Sequence, residues 1–199
     1  MNVRRTVRQY ERAGVAAIHI EDQEMPKRCG HLDDKKVVST EDMVQKIRAA
    51  VDARTDDDFT IIVRTDSIAV TGWEDAMNRC EEYIKAGADA LFVEAIRTPE
   101  EVEQVAKNIS VPLLYNFVEA GKSLLLSASE LEKFGFKIVI YPGSALLSVT
   151  HVVQKVMAQL KETGTTAHIM DNMVTLEACF EAVGLSSLLA EDARFASTV

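Results

Sequence analysis

Five short apolar runs rich in β-branched residues punctuate the chain: Val15 to Ile20, Phe59 to Val63, Ala90 to Val93, Val111 to Tyr115 and Phe136 to Tyr141. Each is apolar nearly throughout. That pattern predicts strands covered on both faces, as in a parallel sheet. The segments between them repeat at helical spacing. Thr40 to Ala53 starts beside a Ser39 or Thr40 cap, has Glu41 and Asp42 in its first turn, and lines up Met43, Val44, Ile47 and Val51. Gly72 to Ala86 aligns Trp73, Ala76, Met77, Cys80, Tyr83 and Ile84. Thr98 to Asn108 begins with a threonine cap, a proline at its first helical position and two acids after it. Ser127 to Phe134 and Ser148 to Glu162 complete the set, and Met1 to Gly14 reads as a helix leading into the first strand. Strand and helix alternate, which predicts an α/β fold with right-handed crossovers.

The segments Ala13 to Glu21 and Ala86 to Glu94 resemble each other, with a looser copy at Gly135. A glycine that ends a helix ahead of a buried strand accounts for most of that likeness. The polar residues say more. Apolar strands end in Glu21 and Asp22, in Arg64 and Asp66, in Glu94 and in Asn116. In a β/α barrel the carboxyl ends of the strands surround one cavity. Glu, Arg, Glu and Asn delivered to that rim by four consecutive strands predict a site for an anionic substrate, with a metal as one option. The alternative is that each merely ends a strand at the solvent. A full barrel needs eight strands and about 250 residues, whereas the 199 residues here carry five. The expectation is therefore either an open sheet or a (β/α)8 TIM-type barrel represented by roughly its last five units. Residues 1–199 would form one partial barrel domain, with a helical segment from about 148 to 199.

Composition narrows the function. Lysine and arginine number 22 against 31 aspartates and glutamates, a net charge of −9 that disfavours wrapping nucleic acid. No apolar run approaches the about 18 residues a membrane helix needs. Arg4, Arg5 and Arg8 have no apolar run behind them and do not read as a secretory signal. The three cysteines form no paired motif, so a disulfide framework or zinc site is not expected and a reduced, cytoplasmic compartment is. Cys80 and Cys179, among apolar neighbours, read as small buried residues. Cys29 differs. In Pro26-Lys27-Arg28-Cys29-Gly30-His31 a thiol is flanked by two cations and a histidine. Nearby cations stabilise a thiolate, and such a thiol can give or take a proton at carbon. Lys27 and Arg28 as a solvated pair, and His31 as a loop hydrogen-bonder, are the bland alternatives.

Ile18-His19-Ile20-Glu21-Asp22-Gln23, the Lys27 to His31 loop and Arg64-Thr65-Asp66 resemble the isocitrate lyase and phosphoenolpyruvate mutase superfamily. The short branch of methylisocitrate lyases, dimethylmalate lyases and carboxyphosphonoenolpyruvate mutases is the nearest likeness, and it covers almost the whole chain. It implies a (β/α)8 barrel, often tetrameric, with a last helix exchanged between subunits. It also implies Mg2+ (or Mn2+) and a 2-hydroxy or 2-oxo carboxylate substrate. By position, Cys29 matches the catalytic acid/base, and Lys27, Gly30 and His31 match the loop around it. Arg64 matches a substrate-binding arginine, Glu94 and Asn116 match substrate contacts, and Glu21 matches an outer magnesium ligand reached through water.

The departures carry equal weight. Nothing before Glu21 matches the family's metal-binding aspartates. Leu147 and Leu176 stand where carboxylate-gripping arginines are expected, and Val118 where a hydroxyl residue is. Each lost guanidinium removes contacts of about 1.5–3 kcal/mol. A methylated malate therefore suits the chain better than a tricarboxylate. Three outcomes follow. One is a carbon–carbon lyase. The second is a phosphonomutase or oxaloacetate hydrolase on the same scaffold. The third is a truncated, non-catalytic remnant that self-associates through an exposed sheet edge and apolar surface.

Overall fold

A computed structural model describes residues 1–196 of the chain. Its strands are β1 (Ala17–Glu21), β2 (Thr60–Thr65), β3 (Ala90–Val93), β4 (Leu113–Asn116) and β5 (Ile138–Ile140), paired in parallel in that order. Between and around them run α1 (Asn2–Arg12), α2 (Thr40–Ala53), α3 (Trp73–Lys85), α4 (Pro99–Asn108) and α5 (Ala128–Phe134). The chain divides into two compact units, Met1–Ser144 and Ala145–Val199.

In the first unit the alternation of side chains along the strands separates two apolar layers. Ile61, Val63, Leu91, Val93, Leu113 and Tyr115 pack with the helices, against residues such as Met43, Ile47, Tyr83 and Val105. On the opposite face Ile62, Ala90, Phe92 and Leu114 form a smaller cluster with Ala17 and Ile140. Central strands buried on both faces agree with the sequence. The edges differ: β1 and β5 are only partly covered, because each has one strand neighbour in the sheet order. Strand bounds differ as well. β1, β2, β4 and β5 begin later than their apolar runs, and Glu21, Arg64 and Asn116 lie inside the strands as paired residues. The ladder register thus fixes their direction. All three share a face with the smaller apolar cluster.

Local chemistry fixes the helices. Ser39 accepts the Asp42 N–H at 3.1 Å to start α2. Thr98 with Glu101, and Ser127 with Glu130, form reciprocal capping boxes at α4 and α5. Gly135, at φ +104, ends α5 in the left-handed region, so the recurring glycine is a helix stop, as its position ahead of a strand suggests.

The second unit holds α6 (Ser144–Thr163, which starts at the boundary), a short 3-10 stretch over Ala167–Asn172, α7 (Leu176–Glu181) and α8 (Leu185–Ala196). α6 begins four residues earlier than expected. None of these helices contains a buried residue. Cys80 is buried as expected, but Cys179 is exposed. The reading of Cys179 as a core residue is therefore corrected: a six-residue helix in a unit without its own packed centre cannot cover it. No helix among the described residues is long and apolar enough to cross a membrane.

Leu91 is fully buried between the sheet and its helices. Leu91→Ala should lower the unfolding free energy by about 2–5 kcal/mol, read from urea denaturation.

Candidate functional site

The loop between β1 and α2 carries the Lys27 to His31 segment, and three contacts shape it. The Gln23 side chain clamps Arg28 from both sides, donating to its carbonyl and accepting its N–H at 2.9 Å each. The Leu32 N–H donates to the Cys29 carbonyl at 3.0 Å and closes a turn. Lys35 donates to the Gly30 and Leu32 carbonyls at 2.6 and 2.8 Å. Cys29 therefore owes its place to the backbone of this turn, and its side chain is open to solvent.

Gly30 is buried face to face with the strand ends. A Cβ there would stand 2.5 Å from Glu94 Cγ and run into Arg64 Nη2, so glycine is needed for the approach. The next residue, His31, accepts the Lys122 N–H at Nδ1, 2.8 Å. That contact leaves the imidazole proton on Nε2, which lies 3.2 Å from Glu94 Oε1.

Arg64 is the hub. Its Nε lies 2.8 Å from Asp66 Oδ2 and 3.4 Å from Glu21 Oε2, and its Nη2 lies 3.0 Å from Asp66 Oδ1 and 2.9 Å from Glu94 Oε2. The guanidinium also stacks over Phe92, 4.7 Å from the ring centre. Burial opposes its charge, but Asp66, Glu94 and Glu21 outweigh that and hold it above its ordinary value. Glu94 is the mirror case. Burial pushes it up, yet His31, Arg64 and Asn116 bring it below the usual carboxylate range. Asn116 donates to Glu94 Oε2 at 3.1 Å, while its Oδ1 is buried with no donor.

Of the residues expected at the site, Glu21, Lys27, Gly30, His31, Arg64, Glu94 and Asn116 come together in one contact network, with Cys29 on the same turn. One expectation changes in kind. The two cations beside the thiol each face a carboxylate, Lys27 with Glu21 at 3.0 Å and Arg28 with Asp34 at 3.7 Å. The loop is thus closer to neutral than its sequence suggests.

Sequence reasoning missed the supports. Lys35 and Lys122 act through backbone groups, which leave no side-chain signature. Asp66 stood out as a strand end and within the Arg64-Thr65-Asp66 motif, but not as the acid that takes two N–H groups of Arg64 from just beyond β2. Asp22 is fully buried behind it and accepts the Asp66 N–H at 2.9 Å, the Thr65 hydroxyl at 2.7 Å and the Tyr83 hydroxyl at 3.0 Å. Burial pushes Asp22 above the ordinary carboxylate range despite these donors.

Magnesium wants near-octahedral oxygens, about six at 2.0–2.1 Å. The carboxylates at these strand ends are already turned to cations or N–H donors. Among the described residues, no group of three His, Cys, Asp or Glu side chains is arranged to hold a metal. The residues present do not fit a complete magnesium site. Glu21, expected as an outer ligand, directs its Oε2 to Lys27 and Arg64.

A family profile described as phosphoenolpyruvate phosphomutase matches residues 1–161. The chain is 42% identical over 197 residues to the 2,3-dimethylmalate lyase of Eubacterium barkeri, covering 99% of this chain and 68% of that protein. It is 42% identical over 194 residues to a 2-methylisocitrate lyase of Aeropyrum pernix, covering 98% of this chain and 62% of that protein. A crystal structure of a 2,3-dimethylmalate lyase superposes with a TM-score of 0.88 at 40% identity, over 96% of this chain and 64% of that one. A phosphonopyruvate hydrolase crystallised with oxalate and Mg2+ superposes with a TM-score of 0.80 at 31% identity, over 98% of this chain and 68% of that one. The chain spans about two thirds of the length of these relatives.

Glu94→Gln removes a buried carboxylate that faces Arg64, His31 and Asn116. It should destabilise the protein by about 1.5–3 kcal/mol near neutral pH, the range for hydrogen bonds to charged groups. Because the folded-state pKa of Glu94 lies below its ordinary 4.5, the unfolded chain holds the proton more tightly. The stabilisation is complete above that ordinary value and is lost as pH falls through the lower folded value. The stability gap between parent and variant should shrink in acid and stay level near neutrality, as read by urea denaturation across pH.

Proposed function

The chain belongs to the phosphoenolpyruvate mutase and isocitrate lyase superfamily, and we propose that its site serves carbon–carbon bond cleavage of a small 2-hydroxy dicarboxylate of the dimethylmalate or methylisocitrate type. The observation that carries this reading is Asn116 Oδ1, a buried acceptor with no protein donor, beside an arginine whose Nε and Nη2 are committed to acids. A hydroxyl on the substrate supplies the missing donor, and a substrate carboxylate meets the remaining Nη1 arm of Arg64. An apolar substituent suits the Ile62, Phe92 and Leu114 layer below.

The bond between the hydroxyl-bearing carbon and its neighbour breaks as the hydroxyl loses its proton to a base and becomes a keto group. The electron pair passes to the departing carbon. The Cys29 thiol, exposed to solvent on its turn, gives that carbon its proton and is reprotonated from water. Arg64, Lys27 and Asn116 bind and orient the acid. Because the described residues do not complete a magnesium site, no step is assigned to a metal. A thiol in this role must remain reduced, which suits a cytoplasmic location.

A second reading has its own observation. The Ala145–Val199 unit exposes Leu146, Val149, Val152, Leu176, Val183 and Leu188, apolar surface of the kind that marks an interaction site when it is contiguous. That surface favours association with copies of itself, the basis of the reading as a non-catalytic chain that survives by self-association. Self-association is part of both readings.

Incubation with 2,3-dimethylmalate should release pyruvate and propionate. Cys29→Ser should slow that turnover by about 10²–10⁴-fold, the usual contribution of a positioned proton donor, with substrate binding retained. Unchanged turnover removes Cys29 from the mechanism. No keto acid from the parent, with or without added Mg2+, favours the non-catalytic reading, and oxalate with acetate from oxaloacetate favours a hydrolase. Light scattering should give a mass at least twice the 22.0 kDa of one chain. A monomer contradicts the association.

A further inference from the structure

Lys35 is used by nothing in the mechanism above, yet it is the more deeply placed of two consecutive lysines. It is 8% exposed, whereas Lys36 beside it is open to solvent. Its ammonium does not face a carboxylate at bonding distance. It donates instead to the Gly30 carbonyl at 2.6 Å and the Leu32 carbonyl at 2.8 Å. These carbonyls belong to the residues immediately before and after His31. We infer that Lys35 is a positioning residue, its buried ammonium gripping the backbone on both sides of His31 and so fixing the Cys29–Leu32 turn against the Arg64–Glu94 pair.

Three observations converge on this role. Gly30 is buried, so its carbonyl has little access to water and needs a protein donor. Gly30 also touches Arg64 and Glu94 so closely that a single carbon would clash, which makes the height of the turn critical. Within the turn, the Leu32 N–H to Cys29 carbonyl bond of 3.0 Å closes the chain over the very carbonyls that Lys35 holds. A lysine can do this because three N–H bonds radiate from one compact head. Burial pushes the ammonium down from its ordinary range and Lys122 adds to that, while Asp66, Glu94 and Asp33 support the charge. The cation thus belongs to the same electrostatic assembly as Arg64.

The inference rests on the reading that the Cys29 turn is the working part of the site, but its test needs no turnover. The failure of either can therefore be told from the failure of the other. Hydrogen exchange and thiol alkylation, read by mass spectrometry, are compared in the parent, Lys35→Met and Lys35→Arg. In Lys35→Met the Leu32 amide should exchange at least about tenfold faster while Thr60–Thr65 keeps its protection, the mark of a local opening. The pH profile of Cys29 alkylation by iodoacetamide should shift, while exposed Cys179 in the same sample keeps its profile. Lys35→Arg, which retains a cation and donors, should restore both. Parent-like Leu32 exchange and Cys29 alkylation in Lys35→Met overturn the assignment. So does a Lys35→Arg protein as altered as Lys35→Met. Should Lys35→Met also lose protection at Thr60–Thr65, the parent decides: acylation of Lys35 and exchange of Leu32 should rise together with urea, and independent urea dependences overturn the inference.

Discussion

The guanidinium of Arg64 holds the functional end of the sheet together. It leaves β2 on the same face as the smaller apolar cluster, lies over Phe92, and meets Asp66, Glu94 and Glu21. Those acids come from β1, from the residue after β3 and from the segment beyond β2. Removing four charges from water is costly, and only close geometry with further hydrogen bonds compensates. Here the compensation is visible. Asp66 takes two N–H groups of Arg64, Glu94 adds Asn116 and the Ala95 N–H, and Glu21 adds Lys27. The cluster ties three strand ends to one another, and Gly30 lets the thiol turn settle directly on it.

This constraint explains which parts of the protein were legible in its residues. Short apolar runs separated by amphipathic stretches locate all five strands, because strands buried on two faces tolerate little polarity. Capping residues at 39, 98 and 127 mark helix starts for the same local reason that they form. Glu21, Arg64, Glu94 and Asn116 stood out because each interrupts an apolar run at one end of the sheet. The edge strands were misjudged, since pattern alone does not say which strand lacks a neighbour. Cys179 was misjudged because apolar neighbours predict burial only where something packs over them, and the helices beyond Ala145 have no buried residue of their own. Lys35 and Lys122 were invisible because they hold carbonyls, imidazole nitrogen or a distant acid, contacts that no spacing rule records.

Family membership and site geometry pull in different directions at one point. The relatives include a hydrolase crystallised with oxalate and Mg2+, while the carboxylates here are matched by Arg64, Lys27, His31 and Asn116. An acid committed to a guanidinium is a poor partner for a divalent ion, since taking it as a ligand would leave a buried cation alone. The strand ends therefore carry an arginine-centred cluster of paired acids and an amide oxygen without a protein donor, with a solvent-exposed thiol on the neighbouring turn.

The direct test of that cluster is a double-mutant cycle on Arg64 and Glu94, with Arg64→Met, Glu94→Gln and the double variant unfolded in urea at neutral pH. A shared, buried contact predicts that the double variant loses less stability than the two single losses combined, by about 1–3 kcal/mol. Losses that simply add would contradict the account, for they would mean that the guanidinium and the carboxylate stabilise the strand ends independently.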